Sequence, residues 1–203
     1  MEKIDFKKKF KDLYNPSKKD ISVVDVPPMN FVMFDGKGDP GKTPEFQKGV
    51  EALYTVAYTL KFMLKKRGGR PDYTVPPCEG LWWAGDMTAF SANRRCEWKW
   101  TIMIMQPDFV TKALIDEAVA EAKKKKDLPA LAKVRFERFA EGKCVQIMHV
   151  GPYADEWPTI ERMHRFIAEH GWQLRGKHHE IYLSDPRKTA PEKLKTVIRH
   201  PFI

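Results

Sequence analysis

The feature that most constrains the fold of this chain is an order of local signals that occurs twice. Phe31–Pro40 reads as a strand that runs into a Gly-containing loop, Pro44 opens a helix, and Glu79 begins a further strand. Val145–Pro186 repeats this order, with a strand, a Gly-containing loop, a proline-opened helix and a strand that carries Glu180. Proline suits the first helical turn because its ring fixes φ and its missing N–H is not needed there. The repeated order predicts two copies of one structural unit.

We therefore predict an α+β fold of tandem duplicated strand–helix–strand–strand units, with pseudo-twofold symmetry around a central ligand cleft. A chain of 203 residues can bury one substantial core or two half-sized units packed together. We expect a single domain over 1–203. It divides into an N-terminal extension (1–20), a first repeat half (21–105), linking helices (106–133) and a second repeat half (134–203).

Local patterns predict the main elements of each half. Glu45–Lys66 is the strongest helix, because its apolar residues recur at steps of three and four along one face. Alternating strand patterns predict two hairpins. The first joins Ile21–Val26 to Asn30–Phe34, and the second joins Val134–Ala140 to Lys143–Val150.

The basic composition does not by itself indicate a nucleic-acid-binding protein. The chain carries 36 Lys and Arg against 27 Asp and Glu, a net charge of +9, but the basic residues are scattered and are best explained by solvated faces. No helix-turn-helix, zinc-finger spacing or RNA-binding aromatic signature is present in the sequence. We therefore expect no direct contact with nucleic acid.

Other features of the sequence favour a cytoplasmic protein. No apolar run approaches the roughly 20 residues of a membrane span, and the N-terminus lacks an apolar signal-peptide core. Cys78, Cys96 and Cys144 form no CxxC pair, which favours reduced thiols. We expect no membrane partner, and the sequence leaves the oligomeric state open.

The histidines and cysteines give no recognisable ligand spacing for a metal ion. His178 and His179 are adjacent in a predicted strand and so point to opposite faces, while His149 and Cys144 do not have zinc spacing. No metal site and no cofactor are predicted. A nucleophilic Cys–His site stays open, although no local pattern supports it.

Aromatic residues and two strand-borne carboxylates are the candidates for a binding site. Trp82, Trp83, Trp98 and Trp100 fall in one predicted hairpin. The core is the default place for such side chains, and an aromatic cleft for planar or cationic ligands is the alternative. A carboxylate among apolar strand neighbours is costly to bury without a partner. Glu180, flanked by Ile and Tyr, and Glu79 therefore favour the cleft, and one raised-pKa Glu with a nearby Tyr would suit acid/base catalysis.

Several motifs resemble the GyrI-like small-molecule-binding family. They are Gly151-Pro152-Tyr153, Glu180-Ile181-Tyr182-Leu183 and Asp185-Pro186 in the second half, and Gly36–Pro40 and Ala57–Phe62 in the first. The resemblance covers residues 21–203 and implies the tandem fold with its central cleft. The family includes gyrase-inhibitory proteins, ligand domains of multidrug-sensing activators, and a stand-alone branch with hydrolases of cyclopropane-bearing DNA-alkylating toxins.

The resemblance also implies roles for individual residues. Glu156 and Glu180 would be the acid/base carboxylates with Tyr58 as a polar partner, and Glu180 would face cationic ligands. The residues expected to bind substrate are Trp83, Trp98, Trp100, Tyr153, Tyr182 and Glu79. The sequence departs from the expected pattern at Trp157, which stands between Glu156 and the helix-opening proline. We expect Trp157 to reshape the mouth of the pocket.

Three functions are therefore open. The first is a hydrolase that detoxifies cyclopropane-bearing compounds in an aromatic and acidic cleft. The second is a drug-binding protein that sequesters hydrophobic or cationic molecules without turnover, and the third is an interaction protein that modulates gyrase. Glu156 also has a simpler interpretation, in which it only favours the N-terminus of the following helix.

Overall fold

The computed structural model describes residues 3–86 and 94–203, which form a mixed α+β fold. Its helices are α1 (Phe6–Lys9), α2 (Lys11–Tyr14), α3 (Pro44–Arg67), α4 (Lys112–Lys125) and α5 (Trp157–Glu169). Its strands are β1 (Ser22–Val26), β2 (Met29–Lys37), β3 (Cys78–Trp83), β4 (Lys99–Gln106), β5 (Arg135–Phe139), β6 (Gly142–Val150), β7 (His178–Tyr182) and β8 (Lys195–Pro201). The chain divides into two compact units: unit 1 comprises Met1–Phe6 and Met29–Phe139, and unit 2 comprises Lys7–Pro28 and Ala140–Ile203. Among the described residues, no helix is long and apolar enough to cross a membrane.

Unit 1 is an antiparallel sheet in the order β3-β4-β2-β5, and α3 packs on its β2 and β4 strands. Helix α3 runs from Pro44 to Arg67, one residue longer at each end than the sequence predicts. Pro44 occupies the first turn, and Gly68 follows the last turn with φ +72°, a conformation that favours glycine. Local signals therefore define both ends of this helix.

The core of unit 1 includes Trp100 on β4. Its ring is fully buried, stacks on Phe34 at a centroid distance of 6.3 Å, and donates its indole N–H to the carbonyl of Gly38 at 3.2 Å. The ring lies directly over Gly36 of β2, where a Cβ atom would stand 2.0 Å from it. Any side chain at Gly36 would displace the tryptophan, so the glycine is required by packing.

Unit 2 is an antiparallel sheet in the order β1-β6-β8-β7, with α5 on one face. Val145 of β6, Ile198 of β8, and Met163 and Ile167 of α5 belong to one buried apolar cluster. The apolar residues of α5 recur at steps of three and four and so form one stripe along the helix. This stripe is buried on the sheet, and the opposite face of the helix is exposed. The sequence predicts this helix at Thr159–His170, and it begins two residues earlier.

The other face of the unit 2 sheet holds a buried polar network that fastens the N-terminal segment. Arg199 Nε donates to Gln146 Oε1 at 3.0 Å, and its Nη1 donates to Glu141 Oε2 at 3.3 Å. Arg199 Nη2 donates to the backbone carbonyl of Leu13 at 2.9 Å, at the end of α2. His179 approaches Glu141 Oε2 through Nδ1 at 3.0 Å. Buried charges are tolerated when each is paired and hydrogen-bonded, and here the pairing also ties α2 to the sheet.

Both predicted hairpins are wrong, although the four strands lie where the sequence places them. β1 pairs with β6, from Ser22 opposite Gln146 to Val26 opposite Gly142, and β2 pairs with β5. The link between β1 and β2 explains the first error. Pro27 and Pro28 cannot adopt the positive φ that tight two-residue hairpin turns need, so the chain continues in an extended course.

The two units share one order of strand pairing. In unit 1 the strand before α3 pairs with β4, the last strand of the strand–helix–strand–strand series, and β4 pairs with β3. In unit 2 the strand before α5 pairs with β8, the last strand of its series, and β8 pairs with β7. The fourth strand of each sheet comes from the opposite half of the sequence. β5, from the second half, completes the sheet of unit 1, and β1, from the first half, completes the sheet of unit 2.

Candidate active site

The candidate active site lies in unit 2, on the sheet face that α5 covers. Tyr182 and Glu180 of β7 pair with Thr196 and Ile198 of β8, and Ile198 packs in the cluster beneath α5. Side chains directly opposite each other in an antiparallel pair lie on the same face. Because successive strand residues alternate, His178, two residues before Glu180, also lies on this face.

Glu180 accepts a hydrogen bond at each of its carboxylate oxygens. Tyr182 donates its phenolic O–H to Oε2 at 2.7 Å, and His178 Nε2 lies 3.2 Å from Oε1. A carboxylate has no proton to give, so the Nε2 proton is assigned to His178. The side chain of Glu180 is 15% exposed, which leaves part of it open to a ligand or to water.

Glu156 reaches the same region from a loop that begins at Gly151. Gly151 has φ +144°, and the short 3-10 turn Tyr153–Asp155 follows it. Glu156 then stands immediately before α5, where its backbone carbonyl accepts from the N–H groups of Thr159 and Ile160. Its side chain makes no capping hydrogen bond, so helix capping does not account for its position.

The side chain of Glu156 is buried and only partly satisfied. The residue is 4% exposed, and Oε1 has no hydrogen-bond partner in the part of the chain that the structure describes. Burial and the neighbouring Glu180 charge raise the pKa of Glu156 to about 9. The Thr196 hydroxyl opposes this rise only weakly, since its buried Oγ1 makes no hydrogen bond of good geometry to a described group. At pH 7 Glu156 is therefore a neutral acid beside a carboxylate.

Two carboxyl groups in different environments can divide acid and base work between them. Glu156 holds a proton that it can donate, whereas the Glu180 carboxylate accepts two hydrogen bonds and keeps further lone pairs that can receive a proton. The resemblance stated above implies acid/base roles for these two residues, and the structure places both of them in one part of unit 2. That placement gives the pair a chemical asymmetry that the sequence does not contain.

Aromatic side chains border the carboxyl pair. Tyr153 is 41% exposed and contacts the edge of Tyr182 at a centroid distance of 5.7 Å. Trp157, which follows Glu156, is 39% exposed. Exposed aromatic groups beside a partly exposed carboxylate suit a flat, apolar or cationic ligand.

Sequence reasoning missed the supporting role of His149 and His178. His149 Nδ1 lies 3.1 Å from Thr159 Oγ1 and its Nε2 lies 3.3 Å from the carbonyl of Pro152, so it fixes the loop that carries Glu156. From the sequence alone, His178 stands out only as a possible metal ligand. Its spacing of two from Glu180 places both side chains on one strand face, and this signal was available in the sequence.

The remaining predicted site residues lie in unit 1. Tyr58 is 46% exposed on α3, in a stacked ladder with Tyr54 and Phe62 at 6.2 Å to each neighbour. Glu79 is 1% exposed on β3 and pairs in register with Met103. Trp83 ends β3 and is partly buried, Trp98 is partly buried against Trp82 at 5.9 Å, and Trp100 is in the core. The catalytic role of Tyr58 as a polar partner, and the substrate-binding roles of Glu79, Trp83, Trp98 and Trp100, stay predictions.

The fold and the motifs agree with one family model, which describes a GyrI-like small-molecule-binding domain and matches residues 19–202. The chain belongs to the GyrI-like family. This GyrI-like protein is 46% identical to an uncharacterised conserved protein from Listeria innocua, over 99% of this chain and 100% of that one, with a TM-score of 0.91. It is 45% identical to a hydrolase from Listeria innocua over the full length of both chains, with a TM-score of 0.88.

A more distant structure shares the fold alone. The C-terminal domain of EcmrR is 12% identical over 91% of this chain and 97% of that domain, with a TM-score of 0.58. No curated protein sequence matches this GyrI-like protein.

Proposed function

We propose that this GyrI-like protein binds flat, hydrophobic small molecules in unit 2 and hydrolyses those that carry an electrophilic cyclopropane, which would detoxify DNA-alkylating compounds. The observation that carries the proposal is the buried, neutral Glu156 beside the partly exposed Glu180 carboxylate. The hydrolase from Listeria innocua, 45% identical over the full chain, supports a hydrolytic activity. The matched family supports a small organic molecule as the substrate class.

The proposed reaction adds water to a cyclopropane that is conjugated with a dienone. Glu180 accepts a proton from water as the water oxygen bonds to a ring carbon. The ring C–C bond breaks, and its electron pair moves through the conjugated system to the carbonyl oxygen. Glu156 donates its proton to that oxygen, which leaves a ring-opened alcohol and a phenol. Proton exchange with solvent then returns Glu156 to its neutral form and Glu180 to its charged form.

The aromatic border would orient the flat substrate. Tyr153 and Tyr182 would hold the ring system by stacking, and Tyr182 would keep Glu180 in place through its hydrogen bond. Trp157 would cover one side of the reacting ring and limit stray water. Such positioning converts a reaction between separate molecules into a reaction within one complex, which is a large part of catalysis.

The test is to incubate the purified protein with a duocarmycin-type cyclopropane compound and to follow the hydrated product by mass spectrometry. We expect the wild type to form this product faster than buffer does, and we expect Glu156→Gln and Glu180→Gln to lose about 100-fold or more, as removal of a general acid or base does. Glu169→Gln, an exposed carboxyl at the end of α5, is the matched control. Product formation at the buffer rate, or full activity in both variants, would contradict the proposed chemistry.

Binding without turnover is the second candidate, and it is favoured by the family's description as a small-molecule-binding domain. The same protein is then titrated with flat cationic compounds while tryptophan fluorescence is recorded. Saturable quenching without product would support sequestration. Weakened binding of cations, but not of neutral analogues, in Glu180→Gln would assign the charge recognition to Glu180.

We also propose that the two units descend from one duplicated strand–helix–strand–strand unit. The support is their shared order of strand pairing, in which the last strand of each series lies between the two earlier ones. The pseudo-twofold axis and the central cleft that the sequence predicts stay predictions.

A further inference from the structure

Three histidines of unit 2 converge from three different elements. His164 comes from α5, His178 begins β7, and His200 lies on β8. The register that pairs His179 with Arg199 places His178 opposite His200 on the strand face beneath α5. One ring nitrogen from each histidine lies within 4.8 Å of the other two. The His164 and His200 rings are 5.2 Å apart at an angle of 88°, so their nitrogens approach from different directions.

Two of these rings present buried nitrogens that have no partner. His164 Nε2 and His200 Nδ1 make no hydrogen bond to any described group, and His200 is only 2% exposed. A buried polar atom without a partner costs about 1–3 kcal/mol, so two of them within one cluster of three histidines call for an explanation. Core packing alone does not provide one, because an apolar residue would fill the same space without this cost.

The charge state of the cluster suits a cation. Burial, together with the charges of the neighbouring histidines, lowers the pKa of His200 to about 3, and burial together with His178 lowers that of His164 to about 4. Both rings are therefore neutral at pH 7, which is the form that binds metal ions. The nearby Glu180 carboxylate adds a negative charge next to the cluster.

The third histidine already has a hydrogen-bond partner of the kind that metal-binding histidines commonly have on the ring nitrogen that does not bind the metal. His178 Nε2 faces Glu180 Oε1 at 3.2 Å, which fixes the ring and leaves Nδ1 as an acceptor. In metal sites a ligating imidazole usually gives its other N–H to a carboxylate or carbonyl group. The carboxylate would thus serve both the candidate active site and the histidine cluster.

We propose that His164, His178 and His200 bind a divalent transition-metal ion, with Zn²⁺ as the best match. Imidazole nitrogen is a preferred ligand of zinc, and three histidines with one open position are a known arrangement for it. With Zn–N bonds of about 2.0–2.1 Å, tetrahedral ligand nitrogens lie about 3.3 Å apart. Each pair of ring nitrogens therefore has to approach by no more than about 1.5 Å when the ion binds. Glu180 acts in this site as a positioning residue, through His178.

The test uses full-length protein without a polyhistidine tag, stripped with a chelator that is then removed. Zn²⁺ is titrated by calorimetry, and Co²⁺ is titrated in parallel to record the visible bands of a tetrahedral nitrogen site. We expect one equivalent per chain. His164→Ala is the first variant because this half-buried residue tolerates truncation better than the two strand histidines. We expect this variant to bind Zn²⁺ at least about 100-fold more weakly than wild type. We expect Glu180→Gln to bind it about 10- to 100-fold more weakly, as is usual when a group hydrogen-bonded to a metal ligand is substituted.

His170→Ala is the matched control, since His170 is an exposed histidine directly after the same helix. It should keep the wild-type affinity and the wild-type Co²⁺ spectrum. Thermal unfolding without metal establishes that each variant is folded, and added Zn²⁺ should raise the melting temperature of the wild type but not of His164→Ala. The proposal is overturned if folded wild type binds no Zn²⁺, if His164→Ala binds as tightly as wild type, or if His170→Ala loses as much affinity.

Discussion

Glu156 owes its chemistry to its surroundings rather than to its type. Its carboxyl is buried at 4% exposure, has one oxygen without a partner among the described residues, and lies close to the Glu180 charge. Both effects favour the neutral form. A residue of this kind reduces the stability of the fold above its ordinary pKa. Such strongly shifted groups occur most often where catalysis requires them.

The pH dependence of stability tests the state of Glu156. In the unfolded chain this carboxyl loses its proton near pH 4.5, whereas in the folded protein it keeps the proton until about pH 9. Between these values the folded state binds more protons, so the contribution of Glu156 to stability falls as pH rises. The side-chain amide that Glu156→Gln introduces cannot ionise. We therefore expect the variant to gain stability relative to wild type from pH 5 to pH 8.5, by up to about 1.4 kcal/mol per pH unit.

Urea unfolding of wild type, Glu156→Gln and Glu169→Gln at pH 5, 7 and 8.5 provides the measurement. The comparison between proteins at each pH cancels the contributions of the other titrating groups. Parallel pH profiles for wild type and Glu156→Gln would show that Glu156 ionises normally in the folded protein. The proposed ring-opening mechanism would then have no protonated Glu156 to act as its general acid.

At the scale of elements, unit 2 uses the two faces of its sheet for different purposes. The face beneath α5 carries the carboxyl pair and the three histidines, and the opposite face carries the network of Glu141 and Arg199. Burial alone would raise the pKa of Glu141, but His179 and Arg199 together lower it to about 2. Glu141 is therefore charged at all physiological pH values, whereas Glu156 is neutral at pH 7.

Glu141→Gln should disturb both the sheet and the N-terminal segment that it fastens. The substitution leaves Arg199 buried without its charged partner, which typically costs about 3–5 kcal/mol. We expect a loss of that size in urea unfolding, together with faster tryptic cleavage within residues 7–20. Glu137→Gln, which removes an exposed ion pair with Arg135, is the control and should change stability by less than about 1 kcal/mol. Equal, small effects of both substitutions would mean that the network is not structurally important.

At the scale of the whole molecule, the chain builds each unit from both halves of its sequence. Strand β1 precedes the four strands of unit 1 in the sequence but completes the sheet of unit 2, and β5 completes the sheet of unit 1. The predicted halves 21–105 and 134–203 therefore differ from the compact units. Each half, taken alone, would lack the edge strand of its own sheet.

Expressed fragments test this exchange of strands. Residues 29–139 contain all four strands of the unit 1 sheet with α3 and α4, whereas 21–105 lacks β5 and α4. We expect 29–139 to show the stronger helical circular dichroism and the sharper thermal transition, because the buried strand β2 keeps partners on both edges. A fragment 21–105 that folds as well as 29–139 would contradict this organisation.

The sequence by itself determined the elements and the candidate residues. Helix α3 was predicted to within one residue at each end, because proline, glycine and the spacing of its apolar residues are local signals. The resemblance to the GyrI-like family, which the family model confirms, came from short motifs around Tyr153 and Glu180. The same motifs singled out Glu156.

Only the tertiary structure decided the strand partners, the proton on Glu156 and the histidine cluster. Strand pairing joins residues that are far apart in sequence, such as Val26 and Gly142, and the local pattern of a strand does not specify its neighbour. The protonation of Glu156 depends on burial and on Glu180, 24 positions away. His164, His178 and His200 have no ligand spacing along the chain, and their nitrogens come within 4.8 Å of one another only because the fold brings a helix next to two paired strands. Properties set by contacts through space require the fold, whereas properties set by neighbours along the chain do not.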